Sequence, residues 1–112
     1  MVKKLVINVT IIVLVITLAI YIINQRNNLP ETTEEITKCI ANHSILYIQN
    51  GCIHCIKQEK LFGENFKFVN YINCSEDFSK CANIEATPTW VINNEKLTGV
   101  KEISNLQELT GC

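Results

Sequence analysis

The chain has 112 residues, a net charge of −1 and six cysteines. Because no basic cluster lies outside the N-terminus, its charge gives no support to nucleic-acid binding. Six cysteines in so short a chain indicate either disulfides in an oxidising compartment or a metal site.

The first predicted element is an apolar stretch at residues 5–23 that contains no charged residue. A helix of this length covers most of the ~30 Å hydrocarbon core of a bilayer. The stretch is longer than the apolar part of a signal peptide, and residues 19–21 (AIY) make a poor cleavage site. We therefore expect a transmembrane signal anchor, preceded by a cytoplasmic tail of residues 1–4.

Flanking charges predict the orientation of this anchor. Lys3 and Lys4 precede it, whereas Arg26 is the nearest cation after it. The positive-inside tendency then places Met1 in the cytoplasm and the cysteines outside. We expect a single-pass protein of the cell membrane with an extracytoplasmic C-terminal domain, joined to the anchor by a polar linker at residues 24–30.

Residues 31–112 suffice for one small domain in which helices and strands alternate. The predicted elements are a helix from Thr32 or Thr33, a strand at 44–49, a helix from about Cys52 to Phe62, a strand at 66–72, a short helix after 75–77, strands at 89–93 and 95–98 around an Asn93-Asn94 turn, and a helix at 103–110. The order predicts an α/β fold, with a four-stranded mixed sheet flanked by helices on both faces.

The sequence Cys52-Ile53-His54-Cys55 follows a predicted strand and opens a predicted helix. The exposed N–H groups and positive dipole end of that helix stabilise a thiolate at Cys52. We therefore predict a redox pair in which Cys52 attacks and Cys55 resolves, while His54 supplies a hydrogen bond or positive charge. Because stabilising the reduced form makes a pair more oxidising, an oxidant is favoured.

A Thr87-Pro88 dipeptide stands before the second pair of predicted strands. A C-x-x-C at a helix start, followed later by Thr-Pro, a hairpin and a final helix, resembles the thioredoxin superfamily. The resemblance implies a cis bond between Thr87 and Pro88, packed against Cys52 and Cys55. It also implies that the Thr87 backbone is available to pair with a substrate chain near Cys52.

Several short stretches narrow this resemblance, which covers most of residues 44–111. They are Cys52–Cys55, 61–63 (LFG), 66–68 (FKF), 73–74 (NC), Cys81, 88–90 (PTW) and 109–111 (LTG). They resemble the thioredoxin-like domain associated with bacterial and archaeal vitamin K epoxide reductase homologues. The resemblance implies a second cysteine pair, Cys74 and Cys81, and a separate quinone-linked membrane enzyme that reoxidises the domain.

Two departures from the thioredoxin pattern are visible. Leu46 stands six positions before Cys52, where thioredoxins usually bury an acid, so Cys55 lacks the usual base. The first strand of a full thioredoxin is also missing. In such folds the first and last helices usually cover opposite faces of the sheet. A Cys39–Cys112 bridge is therefore unexpected, and we expect Cys39 to be a buried free thiol.

Several alternatives stay open from the sequence. Cys74 and Cys81 could form a structural disulfide, a relay for electrons from Cys52 and Cys55, or two reduced thiols. These four cysteines could instead bind zinc in a non-catalytic module.

Our preferred hypothesis is a membrane-anchored thiol–disulfide oxidoreductase that oxidises cysteines of extracytoplasmic proteins. Its expected partners are substrate proteins with thiols or disulfides. It is predicted to need no cofactor and no metal. A reductase or isomerase on the same fold is the first alternative, and the zinc module is the second. A membrane-anchored chaperone that holds substrates without redox chemistry is the third.

Overall fold

The structure is a computed structural model that describes residues 1–27 and 32–112. Its helices and strands are α1 (Val2–Asn27), α2 (Glu34–Asn42), β1 (Ser44–Ile48), α3 (Ile53–Phe62), β2 (Tyr71–Asn73), β3 (Thr89–Ile92), β4 (Glu95–Thr98) and α4 (Ile103–Thr110). Two 3-10 helices, Gly63–Phe68 and Phe78–Cys81, lie before and after β2.

Helix α1 is long and apolar enough to cross a membrane, and its side chains are exposed. It is therefore a candidate membrane anchor. The helix extends further than residues 5–23. Gln25 donates a hydrogen bond to the Tyr21 hydroxyl one turn earlier, and the positive charge of Arg26 in the last turn interacts favourably with the negative end of the helix dipole. Residues 24–27 of the predicted linker are thus helical, whereas residues 28–31 lie outside the described residues.

The four strands form one mixed sheet in the order β2-β1-β3-β4. Strands β1 and β2 are parallel, and the other neighbouring pairs are antiparallel. The β3–β4 hairpin turns at Asn93 and Asn94, whose φ angles of 51° and 65° match the two-residue turn predicted for them. The domain therefore has the expected α/β, thioredoxin-like fold.

The core lies on one face of this sheet. Leu46 of β1 pairs with Trp90 of β3, so both side chains point the same way, and both are fully buried. The same cluster contains Ile40 from α2, Phe62 from α3 and Leu106 from α4. All three α-helices of the domain therefore share one face, contrary to the expectation of helices on both.

The β2–β3 connection lies beside the opposite face of the sheet. Its regular part is one turn of 3-10 helix, Phe78–Cys81, rather than the α-helix predicted after residues 75–77. Asn83, Ile84 and Glu85 follow this turn and lie beside Thr89, which is 2% exposed.

The strand predicted at residues 66–72 is largely wrong. Residues Gly63–Phe68 form a 3-10 helix, and β2 covers only Tyr71–Asn73. Aromatic packing explains the difference: the Phe66 ring lies 6.4 Å from Phe62 and stacks on Tyr71 at 5.1 Å. The Phe66-Lys67-Phe68 segment alternates apolar and polar residues as a strand would, but it forms part of a 3-10 helix.

Cys39 is not a free thiol, because a disulfide joins it to Cys112. The prediction failed since α2 and α4 pack against each other on one face of the sheet, which brings the two sulfurs together. The bond connects residues separated by 73 positions. It therefore links α2, the first helix of the domain, to Cys112, which directly follows the Gly111 cap of α4.

We expect the Cys39→Ala, Cys112→Ala double variant to lose about 4 kcal/mol of unfolding free energy, because the bond closes a long loop. The matched Cys74→Ala, Cys81→Ala variant opens a much shorter loop and should lose only about 2.5 kcal/mol. Guanidinium unfolding of the full chain in detergent, followed by Trp90 fluorescence, measures both. A greater loss in the second variant would contradict this ranking.

Candidate active site

Cys52 is the N-cap of α3, at the point where the chain leaves β1 and reverses into the helix. Gly51 makes this turn possible with a φ of +75°, which residues with a Cβ rarely adopt. The Cys52 sulfur is half-buried and accepts a hydrogen bond from the Cys55 backbone N–H at 3.1 Å. Its position at the positive end of a ten-residue helix stabilises negative charge on this sulfur.

Cys55 lies one turn further along and forms a disulfide with Cys52. Its side chain is only 2% exposed and belongs to the core. Cys52 is therefore the more accessible sulfur of the pair, as the sequence predicted.

Thr87 and Pro88 lie directly opposite this disulfide, and their peptide bond is cis. The Thr87 carbonyl oxygen is 3.5 Å from the Cys52 sulfur. Pro88 is fully buried, and its carbonyl accepts a hydrogen bond from the Gly99 N–H at 2.8 Å. The structure thus brings together four of the predicted catalytic residues: Cys52, Cys55, Thr87 and Pro88.

His54 is the predicted site residue that stands apart. Its side chain is exposed on the first turn of α3, and its ring makes no hydrogen bond to any other described residue. The role assigned to it from the sequence stays a prediction.

Gln58 is a residue that the sequence analysis missed. It is fully buried on the face of α3 that also carries Cys55 and Phe62. Its Oε1 accepts hydrogen bonds from Trp90 Nε1 at 3.0 Å and from the Lys101 N–H at 2.7 Å, while its Nε2 donates to the Lys101 carbonyl at 3.0 Å. The signal was available, because a glutamine three residues after Cys55 falls on the inward helical face.

These hydrogen bonds give the interior of the site a neutral polar centre. Leu46, at the position where thioredoxins usually bury an acid, is fully buried in the apolar core. Gln58 instead links α3 to Trp90 in β3, two residues after Pro88. The amide therefore fixes the helix that carries Cys55 to the strand that begins beside Pro88.

Cys74 and Cys81 form a second disulfide, and both are buried, at 9% and 7% exposure. The four cysteines required by the zinc alternative thus lie in two separate disulfides. The potential metal-ligating group among the described residues is Cys39, His43 and Cys112, in which the two sulfurs are bonded to each other.

Comparison with curated proteins shows a partial similarity to a thiol-disulfide oxidoreductase. The chain is 41% identical over 71 residues to a protein named thiol-disulfide oxidoreductase LTO1 from Arabidopsis thaliana. The match covers 54% of this chain but 19% of the plant protein, so this chain spans about a fifth of that relative. No protein-family model matches the chain. The fold and this partial similarity fit a thioredoxin-like protein.

Replacing Gln58 by leucine should destabilise the domain by about 3 kcal/mol or more. The change keeps the shape but leaves the Trp90 N–H and both backbone groups of Lys101 without partners, and each unpaired buried group costs about 1–3 kcal/mol. Urea unfolding of the full chain measures the loss. Gln107→Leu, at a half-buried position of α4, is the matched control and should change stability by about 0.5 kcal/mol or less. Equal effects of the two changes would contradict the role given to Gln58.

Proposed function

We propose that this protein is a membrane-anchored thiol–disulfide oxidoreductase whose redox pair is Cys52 and Cys55. One observation carries the proposal. The accessible Cys52 sulfur lies at a helix N-terminus, accepts a hydrogen bond from the Cys55 N–H, and is 3.5 Å from the Thr87 carbonyl oxygen. The partial similarity to a protein named as a thiol-disulfide oxidoreductase supports the same reaction class.

The reaction proceeds by two thiol–disulfide exchanges. A thiolate of the client protein attacks the Cys52 sulfur, the Cys52–Cys55 bond breaks, and Cys55 leaves as a thiolate that takes up a proton. The client's second thiolate then attacks the client sulfur of the mixed disulfide, and Cys52 leaves as a thiolate. Two electrons pass to the protein, and the client gains one disulfide.

We propose oxidation of clients as the physiological direction. The helix N-terminus and the Cys55 N–H favour the Cys52 thiolate, and stabilising the reduced pair makes it a stronger oxidant. Leu46 and the neutral Gln58 support this direction, because neither can accept the proton of Cys55 as a buried carboxylate would.

The proposed location is the outer side of a cell membrane. Helix α1 supports anchoring, while Lys3 and Lys4 before it support a cytoplasmic N-terminus. Three disulfides in the domain agree with an oxidising compartment. We further propose that a separate quinone-linked enzyme of the vitamin K epoxide reductase type reoxidises the pair, on the strength of the sequence resemblance.

The reduction potential of the Cys52–Cys55 pair should lie above the thioredoxin value of about −270 mV, because its reduced form is stabilised. Equilibration of the full chain with glutathione buffers, followed by quantification of free thiols, measures the potential. The Cys74→Ala, Cys81→Ala variant is the control and should give the same value if the measured pair is Cys52–Cys55. A value close to that of thioredoxin would favour the reductase alternative instead.

Cys55→Ala should accumulate mixed disulfides with client proteins, because the resolving thiol is gone while the accessible Cys52 still reacts. Non-reducing gels of membranes from cells that express the full chain show these adducts as bands lost on reduction. Cys52→Ala is the matched control and should show almost none, since Cys55 is buried. Similar adducts in both variants would refute the assignment of Cys52 as the attacking residue.

A further inference from the structure

Asn73 ends β2, next to the point where the chain leaves β1 for the reactive cysteine. It pairs with Ile48, the last residue of the parallel strand β1, and the N–H of Cys74 donates to the Ile48 carbonyl at 2.8 Å. The carboxyl ends of the two strands are therefore adjacent, and the Asn73 side chain starts from a fixed position beside the turn that leads to Cys52.

Three polar residues at this edge of the sheet form a closed ring of hydrogen bonds. Asn73 Nδ2 donates to Asn50 Oδ1 at 2.8 Å. The Asn50 N–H donates to Ser75 Oγ at 3.0 Å, and the Ser75 N–H donates to Asn73 Oδ1 at 3.0 Å. Each residue in the ring is both a donor and an acceptor, and hydrogen bonds connected in this way strengthen one another.

Asn73 is the firmly held member of this ring. It is partly buried, whereas Asn50 and Ser75 are exposed. Its carbonyl accepts the N–H groups of Glu76 and Asp77 at 3.1 and 3.0 Å. Strand pairing and these two bonds fix the Asn73 backbone, so the ring holds the loop of Asn50 against a rigid part of the fold.

Asn50 lies in the β-turn of residues 49–52, which leads directly into α3. The Gln49 carbonyl accepts the Cys52 N–H at 3.4 Å, which is long for such a bond. The third residue of the turn, Gly51, has the positive φ that a type II turn requires there, and glycine restricts the backbone least. The turn therefore needs support from outside, and the ring supplies it by binding both the N–H and the side chain of Asn50.

We propose that Asn73 is a positioning residue for the Cys52 sulfur and acts through Asn50. The ring keeps the turn in the shape that makes Cys52 the N-cap of α3. In this shape the sulfur accepts a hydrogen bond from the Cys55 N–H at 3.1 Å and lies at the positive end of the helix dipole. Without the ring the turn adopts other shapes part of the time, and the Cys52 thiolate is less stabilised. The inference rests on the proposed function, because it concerns the sulfur that reacts in it.

The test measures the pH dependence of Cys52 alkylation in the full chain in lipid nanodiscs. A Cys55→Ala background leaves Cys52 as a free thiol and keeps the backbone N–H of residue 55. Iodoacetamide reacts with the thiolate, which displaces iodide and forms a thioether, and mass spectrometry quantifies the adduct. The midpoint of the rate profile gives the pKa of Cys52.

Adding Asn73→Ala should move this midpoint upward by about half a pH unit, or about threefold in rate at low pH, as expected for the loss of a neutral hydrogen bond. The ring is uncharged, and His54, Glu76 and Asp77, the titratable side chains close by in the chain, are retained. The change therefore reports the position of the sulfur and adds or removes no charge.

Asn50→Ala removes the other end of the same hydrogen bond and should give a similar shift. The variant with both changes should shift the midpoint little further, because the two side chains act through one contact. Asn50 is exposed, so this variant tests the bond even where Asn73→Ala unfolds the domain.

Asn70→Ala is the matched control. Asn70 Nδ2 also bridges to β1, where it donates to the Ser44 carbonyl at 3.2 Å, but Ser44 lies at the opposite end of this strand from Cys52. This variant should leave the midpoint unchanged. Equal shifts in the Asn70 variant and in the Asn50 or Asn73 variants would overturn the inference, as would shifts of Asn50→Ala and Asn73→Ala that add in the double variant.

The proposed function fails on a different measurement. In that case the midpoint of the Cys55→Ala parent lies near the ordinary thiol value of about 8.5, whatever shifts the ring variants show.

Discussion

The N–H group of Cys55 points at the Cys52 sulfur from 3.1 Å, and the proposed chemistry of the domain depends on this contact. It exists because β1 ends at Ile48, Gly51 allows a sharp reversal, and α3 begins directly after Cys52. A sulfur in this position gains from an otherwise unpaired backbone donor and from the helix dipole. The rest of the fold holds α3 and β3 so that this sulfur faces Thr87.

Helix ends also distinguish the disulfides of the domain. Cys52 stands at the start of α3, where a thiolate is stabilised. Cys39 lies in the last turn of α2, and Cys112 follows the Gly111 cap of α4, so both are near the negative ends of helix dipoles. The dipole there disfavours thiolates. One small domain can therefore contain a disulfide that exchanges readily, Cys52–Cys55, and a structural disulfide, Cys39–Cys112, under the same solvent conditions.

The sequence predicted the features that depend on local chemistry. The start of α3 at Cys52, the Asn93-Asn94 turn and the end of the last helix at residue 110 each follow from backbone preferences of single residues. What it missed depends on long-range packing. Phe66 has strand-like neighbours, yet it turns to stack on Tyr71. Similarly, Cys39 pairs with Cys112 only because two distant helices share a face, which no local pattern encodes.

Gln58 shows why the interior of the site was harder to foresee than its surface. A carboxylate near Cys55 would accept its proton and assist reduction of substrates, whereas an amide cannot ionise. Gln58 satisfies the Trp90 indole and both backbone groups of Lys101. Burial of this amide is tolerated because both its oxygen and its nitrogen form hydrogen bonds. The same residue thus joins the helix of Cys55 to β3, which begins directly after Pro88. The Gln58 amide adds no charge to the site, so the stabilisation of a Cys52 thiolate comes from the backbone of α3.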